Sequence, residues 1–116
     1  MELDHPIYRN NEDSSAEREP VFSPDGSKCA FRYRDNGIWY VNVGDEVFGG
    51  YDWGQTPRFS DDSESFGFIY KKDGLTYLNI NGKIFGGYQH FAFRFVETHR
   101  VVMVYEHEGD IYIDEL

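Results

Sequence analysis

Three segments of this chain return at one spacing, and that periodicity limits the fold more than any other feature. Phe22-Ser23-Pro24-Asp25-Gly26 recurs as Phe59-Ser60-Asp61-Asp62-Ser63 and, more faintly, as Phe95-Val96-Glu97-Thr98-His99, 37 and then 36 residues on. Ile38-Trp39-Tyr40-Val41-Asn42-Val43 aligns with Leu75-Thr76-Tyr77-Leu78-Asn79-Ile80, then with Ile111-Tyr112-Ile113-Asp114-Glu115-Leu116, again 37 and 36 residues on. Val47-Phe48-Gly49-Gly50-Tyr51 is matched by Ile84-Phe85-Gly86-Gly87-Tyr88. Three separate segments keeping one spacing mark tandem copies of a single structural unit.

Each copy reads as four short strands. In the first, Pro20–Ser23 is strand A, Cys29–Arg34 strand B, Ile38–Val43 strand C and Glu46–Tyr51 strand D. Apolar and polar residues alternate in strand B, and Asn36-Gly37 supplies the positive φ of a tight hairpin. Asp73-Gly74 and Asn81-Gly82 punctuate the second copy in the same way. Aromatics at 18% of residues favour strands, and no segment has a helical period, so the expected class is all-β. A four-stranded unit of this size cannot bury both faces alone, whereas radial stacking of such units as propeller blades does.

Phe22-Ser23-Pro24-Asp25-Gly26-Ser27-Lys28 followed by an apolar strand resembles the blade motif of TolB-like propellers, the PD40 or WD40-like repeat. Gly82-Lys83-Ile84-Phe85-Gly86-Gly87-Tyr88 is more weakly similar to WG-type β-repeats. The resemblance implies a scaffold and no single activity.

The strand count at the ends sets a further expectation. The third copy stops at Leu116, aligned with the ends of the other C strands, and so lacks strand D. Ile7-Tyr8 aligns with Val47-Phe48 and reads as a strand D without a blade. One domain, 1–116, then holds blades at about 20–56, 57–92 and 93–116, the last completed by strand 5–9 of a second copy. Natural rings need about four to eight blades, so two chains would close a six-bladed propeller as a strand-exchanged homodimer. A trimer keeps the exchange with nine blades. Ile7, Tyr8, Ile111, Ile113 and Leu116 are the expected exchange residues.

The D-to-A connections would gather on one rim, the expected binding surface. They carry Trp53, Gln55, His90 and Phe91, with Arg58 and Arg94 at matching positions just before strand A. For the aromatics the competing role, and the expected one, is packing between blades or onto the partner chain. For the arginines it is pairing with nearby carboxylates, which is the expected one.

No nucleophile elbow, phosphate-cradling loop or Cys/His pair points to catalysis, so no enzyme activity is expected. Cys29 reads as a small buried hydrophobe. His90, His99 and His107, with Glu97 and Glu106, match no metal-ligand spacing, so neither metal nor cofactor is expected. A formal charge of −10 opposes nucleic-acid binding. No run of about 18 apolar residues is present to span a membrane. The N-terminus shows no basic segment leading into an apolar one, so a cytoplasmic location is expected. Asn10–Glu19 reads as a polar tether. The expected function is a non-enzymatic propeller scaffold that binds itself and a protein partner. The alternative is a small-molecule or carbohydrate binding module using the central funnel and the loop aromatics.

Overall fold

The computed structural model describes residues 20–97 and 100–116, and these form an all-β structure of three antiparallel sheets. The first sheet is β1 (Val21–Phe22), β2 (Cys29–Asp35), β3 (Ile38–Val43) and β4 (Glu46–Tyr51), in that order. In the second, β5 (Trp53–Gly54) and β6 (Arg58–Phe59) both pair with β7 (Phe66–Lys72), which is followed by β8 (Leu75–Ile80) and β9 (Lys83–Tyr88). The third has three strands, β10 (His90–Val96), β11 (Arg100–His107) and β12 (Asp110–Glu115). The described residues of one chain form no closed ring.

Alternation explains the stacking. Along β7, Phe68 and Tyr70 point into one core with Ala30, Trp39, Val41, Val43 and Tyr51 of the first sheet. Ile69, between them, joins Leu78 and Ile80 in a second core with Phe93, Val101 and Met103 of the third sheet. The middle sheet is therefore covered on both faces, as the buried run Gly67–Tyr70 requires. Tyrosines tie the layers at repeated positions. Tyr51 stacks on Tyr70 at 3.9 Å and Tyr88 on Tyr105 at 4.2 Å, each continuing the cross-strand pair Tyr70–Tyr77 or Tyr105–Tyr112.

The first turn of the repeat has a local cause. Asp25 accepts the backbone N–H and the hydroxyl of Ser27, while Ser23 Oγ accepts the Lys28 N–H and donates to Asp25. Asp62, Glu64, Ser60 and Ser65 repeat the arrangement. The third copy has neither the serine nor the aspartate, and its connection is one residue shorter.

That shortening corrects the alignment of the third copy. Tyr40 faces Tyr33, Tyr77 faces Tyr70 and Tyr112 faces Tyr105, so strand C of the third copy lies 35 residues after that of the second, not 36. Leu116 donates to the Val101 carbonyl as Gly44 does to Cys29 and Asn81 to Phe66. It therefore occupies the turn position after strand C rather than its last residue. Ile111 then matches Trp39 and Thr76, and Ile113 matches Val41 and Leu78.

Candidate functional site

The residues expected on one rim separate into two places. The second D-to-A connection is strand rather than loop, since β9 ends at Tyr88 and β10 begins at His90. In the first, Trp53 already pairs with Lys71, and residues 55–57 lie between β5 and β6. The antiparallel ladder with β11 captures His90, Phe91 and Arg94. Phe91 packs against Tyr88 and Tyr105 in the second core, so it serves the packing role. His90 is exposed, 3.7 Å from Glu106. His107 lies beside Glu108, and no cluster of three metal-ligating groups occurs among the described residues. His99, Ile7, Tyr8, strand 5–9 and the Asn10–Glu19 tether lie outside the described residues.

Trp53, Gln55 and Arg58 do come together. With Val21, Arg32, Thr56 and Pro57 they line an open cleft of about 450 Å³ between the first and second sheets. The cleft exists because the strand is interrupted between β5 and β6. Gln55, Thr56 and Pro57 oppose only Phe68 and Ile69 on β7, which makes a bulge. Gln55 repairs the ladder there, its backbone donating to the Ile69 carbonyl and its side-chain carbonyl accepting the Ile69 N–H.

Arg32 is the residue that sequence reading missed. Its register position is that of Ile69 and Val104, an apolar place in the other two sheets. Its guanidinium lies 4.9 Å from the Trp39 ring and 5.6 Å from the Trp53 ring, and Lys71 Nζ also lies over the Trp53 ring at 5.7 Å. It donates to the Gly54 carbonyl at 3.0 Å, and its buried Nε–H has no acceptor. Arg58 corrects the expected pairing with a carboxylate. It donates to the Phe93 carbonyl and lies over the Phe93 ring, and among the described residues neither it nor Arg32 has an acidic partner.

The second place is the outer face of the third sheet. Ala92, Arg94, Val96, Val102 and Val104 line a depression of about 520 Å³ there. On the same face Ile111 and Ile113 are 66% and 70% exposed, whereas Leu78, at the position of Ile113, is wholly buried. The lower end is ionic: Glu115 takes the place of Val43 and Ile80 and is gripped by Arg100 at 2.7 and 3.0 Å. That grip holds the Glu115 carboxyl below its usual range. Cys29 is half-buried on β2, its thiol pushed up by that burial.

Comparison with family models, with curated proteins and with solved structures finds no match to this chain.

Proposed function

We propose that the chain is a β-propeller repeat protein with no catalytic role, contributing three blades to a ring that a second copy completes and that serves as an interaction scaffold. The observation that carries this reading is the outer face of the third sheet. In the first and second sheets the corresponding face is covered by the next sheet, through Val41 and Val43 in one case and Leu78 and Ile80 in the other. In the third sheet Val104, Ile111 and Ile113 stay exposed, a contiguous apolar area of the kind that marks an interface. Its apolar centre and its Arg100–Glu115 edge have the anatomy of a protein–protein contact.

The complementary surface is the opposite end of the stack. Cys29, Tyr33 and Tyr40 of the first sheet occupy the register positions by which Phe66, Tyr70 and Tyr77 meet their preceding sheet. Cys29 and Tyr40 are half-buried, while Phe31 is already buried, so closure would be made at Cys29 and Tyr40. Two copies bring six sheets and a closed two-fold ring, with strand 5–9 as the proposed fourth strand beside β12. The resemblance to TolB-like repeats supports the same ring. Light scattering is expected to give twice the 13.6 kDa chain mass, unchanged on dilution through the micromolar range. A single-chain mass there defeats the proposal, and three times the chain mass replaces six blades by nine.

A further inference from the structure

We infer that the cleft between the first and second sheets binds a small carboxylate carrying an aromatic or aliphatic body. The inference starts from the place where the repeat breaks its own pattern. Arg32 stands where Ile69 and Val104 stand in the other sheets; Ile69 there is buried against the third sheet, and Arg32, half-buried, likewise faces the second sheet. A charge at such a position costs desolvation unless it is paired and fully hydrogen-bonded. Arg32 is neither: one carbonyl accepts from it, and its Nε–H is buried with no acceptor. Departures of this kind from a consistent pattern concentrate at functional sites.

Electrostatics points the same way. The chain has 21 acidic and 11 basic residues. Even so, Arg32 and Arg58 line this cleft, Lys71 lies over the ring of its Trp53, and Arg32 and Arg58 have no carboxylate among the described residues. An anion is what the arrangement lacks. Arginine forks match planar carboxylates with two parallel hydrogen bonds, and the two indoles hold the Arg32 plane fixed before any ligand arrives. Val21, Trp53 and Pro57 offer apolar walls, and Thr56 a hydroxyl, in a volume suited to a small molecule. Aromatic rings can lie on Trp53 while the carboxylate meets the terminal N–H groups of Arg32. Arg58, which lines the cleft with its guanidinium resting at the Phe93 carbonyl, would swing from that contact to complete the anion site.

The cleft is built within one chain, so this site stands or falls independently of ring closure. The test uses the fluorescence of the chain's two tryptophans, Trp39 and Trp53, both of which contact Arg32. Phenylacetate is titrated against its neutral amide, phenylacetamide, and against inorganic phosphate. Phenylacetate is expected to saturate the signal, and the amide to bind at least about tenfold more weakly because it offers no charge to either arginine. Arg58→Gln is expected to weaken phenylacetate by at least about fivefold while lowering the melting temperature only slightly, since Arg58 is exposed and loses only its contact with Phe93. Arg32→Lys should weaken it as well, because a point charge cannot replace the fork. Equal binding of acid and amide overturns the inference, as does no saturable response or an Arg58→Gln variant that binds normally. Phosphate saturating the signal below phenylacetate overturns the carboxylate assignment.

Discussion

Asp25 shows how one side chain can set a turn and how much of that is readable in advance. Its carboxylate is held at a pKa of about 2, below the ordinary 3.8, first by the hydroxyl and backbone N–H of Ser27 and then by Ser23. A carboxyl with a lowered folded pKa adds stability above its unfolded pKa, and that contribution disappears as pH falls through the folded value. Thermal melts from pH 5 downward should therefore show wild type losing its advantage over Asp25→Asn between about 4 and 2; a pH-independent gap would remove this role. Tyr51 behaves oppositely at high pH. Burial, then its neighbour Tyr70, pushes its pKa up to about 12, so its contribution is intact below 10 and fades as pH rises through 12. Its phenolate absorbance should appear later than that of free tyrosine. The Ser-Pro-Asp-Gly-Ser turn was legible because the bonds that shape it, from Ser23, Asp25, Ser27 and Lys28, span five residues or fewer. The Asp25 N–H that donates to Ser63 Oγ, 38 residues on, was not. Arg32 was not legible, because its environment is made by Trp39 and Trp53 from two different sheets.

Among the elements, the Gly-Gly pair in β4 and β9 was the best match between copies, yet its reason is visible only in three dimensions. The ladder shifts register between Trp39 and Tyr40 and again between Thr76 and Tyr77, opposite these glycines. At Gly86, φ is +122° and a Cβ would lie 2.7 Å from the Thr76 carbonyl oxygen. Gly86→Ala is accordingly expected to cost about 1–3 kcal/mol in denaturant unfolding, and a loss below about 0.5 kcal/mol would mean the bulge is not needed. The frame of the third copy was misread for a related reason. Ile111-Tyr112-Ile113 is apolar at every position, so its hydrophobic pattern fits two frames one residue apart. Only the Tyr105–Tyr112 partnership decides between them. The connections carrying His90 and Phe91 looked like loops because they are rich in polar and aromatic residues, but pairing with β11 makes them strand.

For the whole molecule, the repeat supplies its own control experiment. Leu78 and Ile113 occupy one position in successive copies, the first wholly buried and the second 70% exposed in a single chain. Leu78→Ala should cost about 2–5 kcal/mol at any protein concentration, because its core lies inside one chain. Ile113→Ala in an isolated chain should cost no more than about 0.5 kcal/mol. If a second copy covers that face, the two substitutions become comparable in cost. Wild-type melting temperature should then rise with protein concentration, as linkage between association and folding demands. Ile113→Glu goes further, placing a charge at the centre of the proposed contact, where it would be buried without a partner. The expected result is a chain of single mass, 13.6 kDa, whose melting temperature no longer depends on concentration. Because Ile113 is exposed in the single chain, this variant should still fold, keeping its β-rich spectrum and its Leu78 core. A wild type whose melting is independent of concentration, or an Ile113→Glu protein that retains the wild-type mass, would show that the third sheet does not meet a second copy.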